Sequence, residues 1–183
     1  MMPEEEPDYD YDTDYDSDVD SDYEYEDEEE LTTEENELSY DEINVKYVVP
    51  EDYILDTEYS DDYYKFYDLD SKSKDIEVYT QIEFSGVQEY FEDVEKYEYQ
   101  YYIDQEDDFY KNIKKSELKE LKVGEYTFKY MEISYDAGTT LSYKKIFAAY
   151  ELPDDYSYVV EIEAEGTDIP SDLLKNFCTI TLK

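Results

Sequence analysis

The sequence predicts an α+β domain, an antiparallel sheet with two helices packed on one face, preceded by a disordered acidic tail. Three observations lead to this prediction. The first 42 residues contain few aliphatic side chains, strand patterns follow one another over the rest of the chain, and two helical patterns interrupt them. We therefore divide the chain into a tail, residues 1–42, and one domain, residues 43–183, a length typical of a single domain.

The tail alternates Asp or Glu with Tyr, Ser and Thr, and it contains no Lys. Such a segment repels itself and has little apolar surface to bury, so it cannot offset the entropy of ordering. Carboxylates at every second position supply the oxygen ligands that Ca²⁺ prefers, but the Gly that an EF-hand loop requires is missing. We expect loose calcium binding, without a specific metal site or any other cofactor, at Asp10, Asp12, Asp14, Asp16, Asp18, Asp20 and Asp22.

The strands of the domain are indicated by apolar residues at every second position. In residues 75–84, the side chains of Ile76, Val78, Thr80, Ile82 and Phe84 alternate with more polar ones, as in a strand with one wet face. Pro50 ends the first strand of the domain. The predicted strands cover residues 43–49, 63–69, 75–84, 125–135, 141–150, 156–164 and 179–182.

The two helices are indicated by apolar residues at helical spacing. The first is predicted to begin at Ser85, where Ser85-Gly86-Val87-Gln88 fits a capping box. The second is predicted near the C-terminus, after the cap candidates Thr167 and Asp168. Their apolar faces comprise Val87, Tyr90, Phe91, Val94 and Tyr97 in the first helix and Ile169, Leu173, Leu174 and Phe177 in the second.

This order of elements resembles that of PsbP-like domains, which recur in secreted bacterial lipoproteins. The similar features are an opening Val48-Val49-Pro50 strand, a helix after a long strand, a Val123-Gly124 entry into a meander, and a last helix before Thr179-Ile180-Thr181. The resemblance implies a non-enzymatic binding or assembly module at a cell envelope, without catalytic residues. The sequence departs from that pattern because it has neither an export signal nor a lipid-bearing Cys near its start.

Charge restricts the chemistry of the chain. It carries 55 acidic residues against 15 basic ones, a net charge of −40, and it has no His and no Arg. Nucleic acid and anionic membranes are therefore not expected as partners, whereas cationic proteins and divalent cations are. The single cysteine, Cys178, lies in an apolar setting and is expected in the core.

One segment is basic, and it holds Lys111, Lys114, Lys115, Lys119 and Lys122. Their spacing would place most of these side chains along one face of a helix, with Ile113, Leu118 and Leu121 toward the core. Two interpretations remain open. The segment is either an ordinary helix with a solvated Lys face, or a docking site for an anion or for the acidic tail.

The leading functional hypothesis is a non-enzymatic interaction or structural module of a bacterial cell envelope, presented on an acidic spacer. The alternative is a cytoplasmic polyanion that acts as a decoy or chaperone for basic proteins. A carboxylate-based hydrolase comes third, and two carboxylates in a deep pocket would favour it. No apolar run is long enough for a membrane helix, so the expected location is the envelope or the exterior if a signal was removed, and otherwise the cytoplasm.

Overall fold

The computed structural model describes residues 36–69, 75–105 and 109–183, and this part of the chain is mostly β-structure. All strand pairs are antiparallel. The described strands are β1 (Glu37–Tyr40), β2 (Ile43–Tyr47), β3 (Tyr53–Asp56), β4 (Tyr64–Leu69), β5 (Asp75–Glu83), β6 (Tyr110–Lys115), β7 (Lys119–Val123), β8 (Tyr126–Ala137), β9 (Leu141–Glu151), β10 (Ser157–Glu165) and β11 (Ile180–Leu182).

Within the described residues these strands form two sheets. The large sheet has eight strands in the order β3-β4-β5-β10-β9-β8-β6, with β7 also paired to β8, and the small sheet has the order β1-β2-β11. All seven predicted strands are confirmed within a few residues, while β1, β3, β6 and β7 were not predicted. Of these, β1 lies before residue 43, where the sequence placed the start of the domain.

The helical residues fall in one long run and two short ones. The elements α1 (Val87–Asp93), a π-helical segment (Val94–Tyr99) and α2 (Gln100–Asp104) are continuous, and we call them together the long helix. The predicted capping box at Ser85 does not form. Instead, the backbone N–H of Val87 donates to Glu151 Oε2 at 3.0 Å, so a carboxylate from β9 satisfies the helix N-terminus. A 3₁₀ turn (Pro153–Asp155) and α3 (Leu173–Phe177) complete the set.

The two helices lie on opposite faces of the large sheet, so the prediction of an α+β fold with two helices on one face is wrong. The long helix covers one face of the large sheet, where it packs against Met131, Ile133 and Phe147 of β8 and β9. The small sheet and α3 cover the other face, against Val78, Tyr158, Ile162 and further buried residues. In β9 the consecutive residues 146–149 are all buried, which is the pattern of a strand covered on both faces.

Candidate functional site

One exposed apolar feature built from several elements is a cluster of four aromatic rings, Tyr40, Tyr63, Phe84 and Tyr156, which we call the aromatic patch. Tyr40 ends β1, Tyr63 precedes β4, Phe84 follows β5, and Tyr156 precedes β10. Because β4, β5 and β10 are neighbours in the large sheet, three strand ends bring three of these rings to one edge.

Ring contacts join the four side chains into one surface. The ring of Tyr40 lies 4.6 Å from that of Phe84, 6.0 Å from that of Tyr63 and 5.7 Å from that of Tyr156, measured between centroids. A hydrogen bond from the backbone N–H of Ser39 to the carbonyl oxygen of Asp62, at 2.7 Å, ties β1 to this edge. The patch therefore bridges the small sheet and the large sheet.

Three rings of the patch remain open to solvent despite these contacts. Phe84 is 52% exposed, Tyr63 is 40% exposed and Tyr40 is 36% exposed. The sequence placed Phe84 on the inward face of its strand, and this prediction is wrong because β5 ends at Glu83 and the chain turns away there. Clustered aromatic side chains that stay exposed are a common mark of a surface that contacts another molecule.

Each ring of the patch has an acidic neighbour in the chain. The pairs are Tyr40-Asp41, Asp62-Tyr63, Glu83-Phe84 and Asp155-Tyr156. Lys65, two residues from Tyr63, is fully buried, and its Nζ donates to the carbonyl oxygen of Asp61 at 3.0 Å. Adjacency along the chain does not place each carboxylate beside its ring, since Glu83 lies near Tyr90 and Glu161 on the long-helix face of the large sheet.

An open groove of about 750 Å³ follows α1 on the face of the large sheet that the long helix covers. Gly86 and Asp155 line it, and these residues stand two positions from Phe84 and one from Tyr156. A side chain at position 86 would press on Glu151, since a Cβ there would lie 3.1 Å from Glu151 Oε1. The charged groups of the groove are Glu89, Glu92, Glu151 and Asp155 against the single cation Lys129.

A second candidate site is a polar cleft of about 260 Å³ between the long helix and the large sheet. Its centre is Lys145, whose Nζ lies 3.2 Å from Glu98 Oε2 and 3.0 Å from Glu163 Oε2. Burial alone would lower the pKa of Lys145, but Glu163, Tyr102 and Glu98 outweigh burial and raise it. Lys145 therefore stays charged, and its ion pair with Glu98 links the helix to the sheet while its ion pair with Glu163 joins β9 to β10.

The third carboxylate of the cleft, Glu161, has a different environment. Tyr90 donates its hydroxyl hydrogen bond to Glu161 Oε1 at 2.9 Å. Burial raises the pKa of Glu161, and the nearby Glu98 adds to the effect, while the bond from Tyr90 and the charge of Lys145 oppose it. Tyr64 lines the same cleft, and burial together with Glu161 raises its pKa to about 12. The cleft thus contains one carboxylate whose pKa is raised by burial and two that are bound to a lysine.

The Lys segment of the sequence forms strands rather than a helix, so the predicted helical face is wrong. Lys111, Lys114 and Lys115 belong to β6, and Lys119 and Lys122 belong to β7. A strand turns successive side chains to opposite faces, so the set is divided between the two faces of the sheet.

The cross-strand partners show how these lysines are divided. Lys114 pairs with Ser134 and Lys119 with Tyr130, on the face that carries the small sheet, whereas Lys115 lies on the face of the long helix and forms an ion pair with Glu95. Leu118 is 46% exposed, which contradicts the predicted core position. The structure does not bring the five lysines together as one docking site.

The predicted calcium ligands Asp10 to Asp22 lie outside the described residues, so that prediction stays untested. Within the described ranges, no group of three or more His, Cys, Asp or Glu residues could hold a metal ion. The same part of the chain contains no helix that is long and apolar enough to cross a membrane. Cys178 is fully buried as predicted, and burial raises the pKa of its thiol.

Sequence reasoning missed the aromatic patch. The local signal is an aromatic residue beside an acidic one at the end of a strand. This signal is not specific, because a chain with 26 Tyr and 55 acidic residues contains many such pairs by composition alone. Comparison with known proteins adds nothing to this geometry, because no protein family model matches the sequence and no curated protein matches it either.

Proposed function

We propose that this domain is a non-enzymatic interaction module and that the aromatic patch is the surface on which its partner docks. The observation that supports the proposal is the exposure of three joined rings at an edge where two sheets meet. Aromatic side chains bury a large area with few rotatable bonds, and Tyr is enriched among the residues that dominate binding energies.

The cleft supports an enzyme less well than the patch supports a binding module. Glycoside hydrolysis needs two carboxylates with separate roles, one protonated and one free to act as base or nucleophile. The pKa of Glu161 is raised in the direction that a general acid requires, but Glu98 and Glu163 are both engaged by Lys145. We therefore interpret the cleft as a structural link between helix and sheet.

A bacterial cell envelope remains the proposed setting, and this part of the proposal rests on the resemblance to PsbP-like domains alone. Fractionation of native cells with an antibody against the domain tests it. Recovery with the envelope fraction is the expected result, and recovery with the cytosol would favour the polyanionic decoy or chaperone instead.

Site-specific photo-cross-linking tests the docking surface. A photoreactive phenylalanine analogue placed at Phe84 in the full chain should give a discrete adduct with a partner in native cells. The matched control carries the analogue at Tyr97, which is 61% exposed on the long helix and lies outside the patch. Equal adducts at both positions, or none at position 84, would contradict the proposal.

A further inference from the structure

We infer that the polar cleft between the long helix and the large sheet binds a small organic ammonium ion, which pairs with Glu161 and lies against the rings of Tyr64 and Tyr79. The inference goes beyond the proposed docking surface, because the cleft shares no residue with the aromatic patch. Three features of the structure support it. They are an unused oxygen of Glu161, two aromatic rings next to it, and the way in which the cleft already holds the ammonium group of Lys145.

Glu161 has one carboxylate oxygen that the described part of the chain leaves without a donor. Its Oε1 accepts the hydrogen bond from Tyr90 at 2.9 Å, whereas none of the described residues donates to Oε2. Lys145 acts on Glu161 only through its charge, because its two ion pairs are with Glu98 and Glu163. Glu161 is largely surrounded by protein and lines the cleft. A carboxylate in such a setting is stabilised by a cation that reaches it, since burial disfavours its unpaired charge.

Two tyrosine rings lie beside this carboxylate. Tyr79 of β5 is the cross-strand neighbour of Glu161, and such neighbours have Cβ atoms ~4.5–5.5 Å apart. Tyr64 of β4 lies opposite Gln81 of β5, and the centroids of the Tyr64 and Tyr79 rings are 6.1 Å apart. Gln81 donates its side-chain N–H to Glu83, which leaves its carbonyl oxygen as an acceptor in the cleft. Rings attract a cation within ~6 Å of their faces, so this part of the cleft offers an ammonium group one charge, two rings and a neutral acceptor.

Lys145 shows how the same cleft holds an ammonium group. Its Nζ lies 3.2 Å from Glu98 Oε2 and 3.0 Å from Glu163 Oε2, and 5.7 Å from the centroid of the Tyr102 ring. Carboxylate and tyrosine ring recur together at Glu161, where the described residues supply no lysine within ion-pair distance. The three glutamates of the cleft face a single lysine, so a second cation improves the balance of charge.

The size and the donor set of the cleft limit the ligand. Its volume of about 260 Å³ corresponds to about nine water molecules of ~30 Å³ each, which suits an alkylamine of a few carbon atoms. A carboxylate or phosphate compound would be repelled by the glutamates. Calcium takes about six to eight oxygen ligands, whereas an ammonium group needs only one carboxylate, a few acceptors and ring faces.

Net charge alone is the rival explanation, because a chain of −40 attracts any cation without a specific site. The two explanations differ in what they require of single residues. Binding in the cleft depends on the carboxylate at position 161 and on the ring at position 64. Attraction by net charge is equally sensitive to the loss of any carboxylate and insensitive to the loss of a ring.

The experiment is a titration of the full ¹⁵N-labelled chain with propylammonium chloride, which replaces sodium chloride at constant ionic strength. A pH of about 8 favours the ionised carboxylate. We expect saturable shifts of backbone amides with a dissociation constant on the order of 1 mM, as suits a ligand of so few atoms. The affected amides should be those of Tyr64, Tyr79, Gln81 and Glu161. Neither 1-propanol nor sodium propionate should shift them.

Two matched pairs of variants test the named residues. Glu161→Gln keeps an acceptor for Tyr90 but removes the charge, and it should weaken binding at least about tenfold. Glu117→Gln removes the same charge at an exposed position and should change the dissociation constant by less than about twofold. Tyr64→Leu should weaken binding about two- to fivefold, whereas Tyr64→Phe, which keeps the ring, should bind like the wild type. The second pair keeps the test decisive if Glu161→Gln fails to fold.

Three results would overturn the inference. One is equal affinity of Glu161→Gln and Glu117→Gln, the second is equal affinity of Tyr64→Leu and Tyr64→Phe, and the third is a set of shifts spread over the acidic surface without saturation. Calcium chloride that shifts the same amides at lower concentration would also reject an organic cation as the ligand. The cross-link from position 84 has no bearing on these results, so the proposed docking surface and the ammonium site succeed or fail separately.

Discussion

Tyrosine hydroxyls inside the core must find hydrogen-bond partners, and the described residues show how they do so. Thr80 Oγ1 donates to the hydroxyl of Tyr47 at 2.8 Å, and that hydroxyl is also hydrogen-bonded to the hydroxyl of Tyr67. On the same face, Tyr158 donates to the carbonyl oxygen of Phe177 at 2.8 Å. The four side chains that take part, Tyr47, Tyr67, Thr80 and Tyr158, are buried. Each of these hydrogen bonds therefore replaces a hydrogen bond to water that is lost on folding.

The substitution Thr80→Val should lower the free energy of unfolding by about 1–2 kcal/mol, because it removes a buried donor and keeps the side-chain shape. Urea unfolding followed by circular dichroism measures the change. The control Thr127→Val removes an exposed hydroxyl from β8 and should stay within about 0.5 kcal/mol of the wild type. Equal effects at the two positions would show that the buried bond contributes nothing.

A pH dependence follows from Glu161. Burial raises its pKa in the folded state, so the folded protein holds a proton that the unfolded chain releases near the ordinary value of 4.5. The groups around it are Tyr90 on α1, Glu98 on the π-helical segment, Lys145 on β9 and Glu83 on β5. The stability linked to this proton is present below the unfolded pKa and is lost as pH rises through the folded pKa.

The variant Glu161→Gln should therefore become more stable relative to the wild type as pH rises from about 4 to about 7. Gln keeps an oxygen that accepts the hydrogen bond from Tyr90 but carries no charge at any pH. Urea unfolding at several pH values gives the difference, which is insensitive to the overall charge of the chain. Glu117→Gln, at an exposed position, should show a constant difference, and a constant difference for Glu161→Gln as well would rule out the raised pKa.

At the scale of elements, the π-helical segment sets the orientation of the second half of the long helix. Its wider turn places Tyr102, which is 5% exposed, against the ring of Tyr135, with centroids 4.1 Å apart. Glu98, within the segment, reaches Lys145 on the sheet. Such segments are rare and usually persist because the contacts that they allow outweigh their poorer hydrogen bonding.

Insertion of one Ala after Tyr99 should rotate α2 by about 100°, because the π-helical turn already holds one residue more than an α-helical turn and cannot absorb another. Tyr102 would then leave Tyr135, and we expect a loss of about 3–5 kcal/mol, typical of removing a buried aromatic side chain. The control Tyr97→Ala shortens an exposed side chain of the same segment but keeps the helix length, and it should cost much less. Similar unfolding curves for the insertion and the control would show that the helix can shift its register without loss.

The strands that sequence reasoning found and those that it missed differ in what determines them. In β5 the alternation of Ile76, Val78 and Ile82 with polar residues is visible locally, and the prediction is confirmed. In β6 and β7 the spacing of Lys115 and Lys119 also fits a helix, and pairing with β8 decides between the two. That pairing is a contact between distant residues, which local periodicity does not record.

A bulge hides β6 further. Asn112 adopts a left-handed backbone conformation with φ of 54°, and the register with β8 shifts between Lys111 and Lys114. The aromatic patch depends even more on topology, since its rings come from four separate strand ends. Only the strand order of the large sheet brings three of those ends to one edge, and no pattern within the sequence specifies that order.

At the scale of the whole molecule, the charges are unevenly distributed. Residues 109–149 hold eight of the 15 lysines against five acidic residues, so this segment has a net charge of +3 within a chain of −40. Most of the segment forms β6, β7, β8 and β9, which are consecutive along the chain and neighbours in the sheet. Here Glu132 lies 3.1 Å from Lys119 and 3.4 Å from Lys144, and these pairs, which outweigh burial, lower its pKa.

The balance of attraction and repulsion predicts how salt acts on stability. Exposed ion pairs contribute little, while the excess of acidic residues repels itself in the folded state and spreads apart on unfolding. The screening length falls from ~30 Å at 0.01 M salt to ~8 Å at 0.15 M and ~3 Å at 1 M, so repulsion between distant charges weakens first. We therefore expect sodium chloride to raise the free energy of unfolding, most steeply below about 0.15 M.

Urea is the denaturant for this measurement, because guanidinium chloride is itself a salt. The variant Lys122→Glu adds negative charge at an exposed position and should be less stable at low salt, with the difference closing as salt is added. A wild type that loses stability on addition of salt would show instead that attraction between the Lys-bearing strands and their acidic neighbours outweighs repulsion in the folded chain.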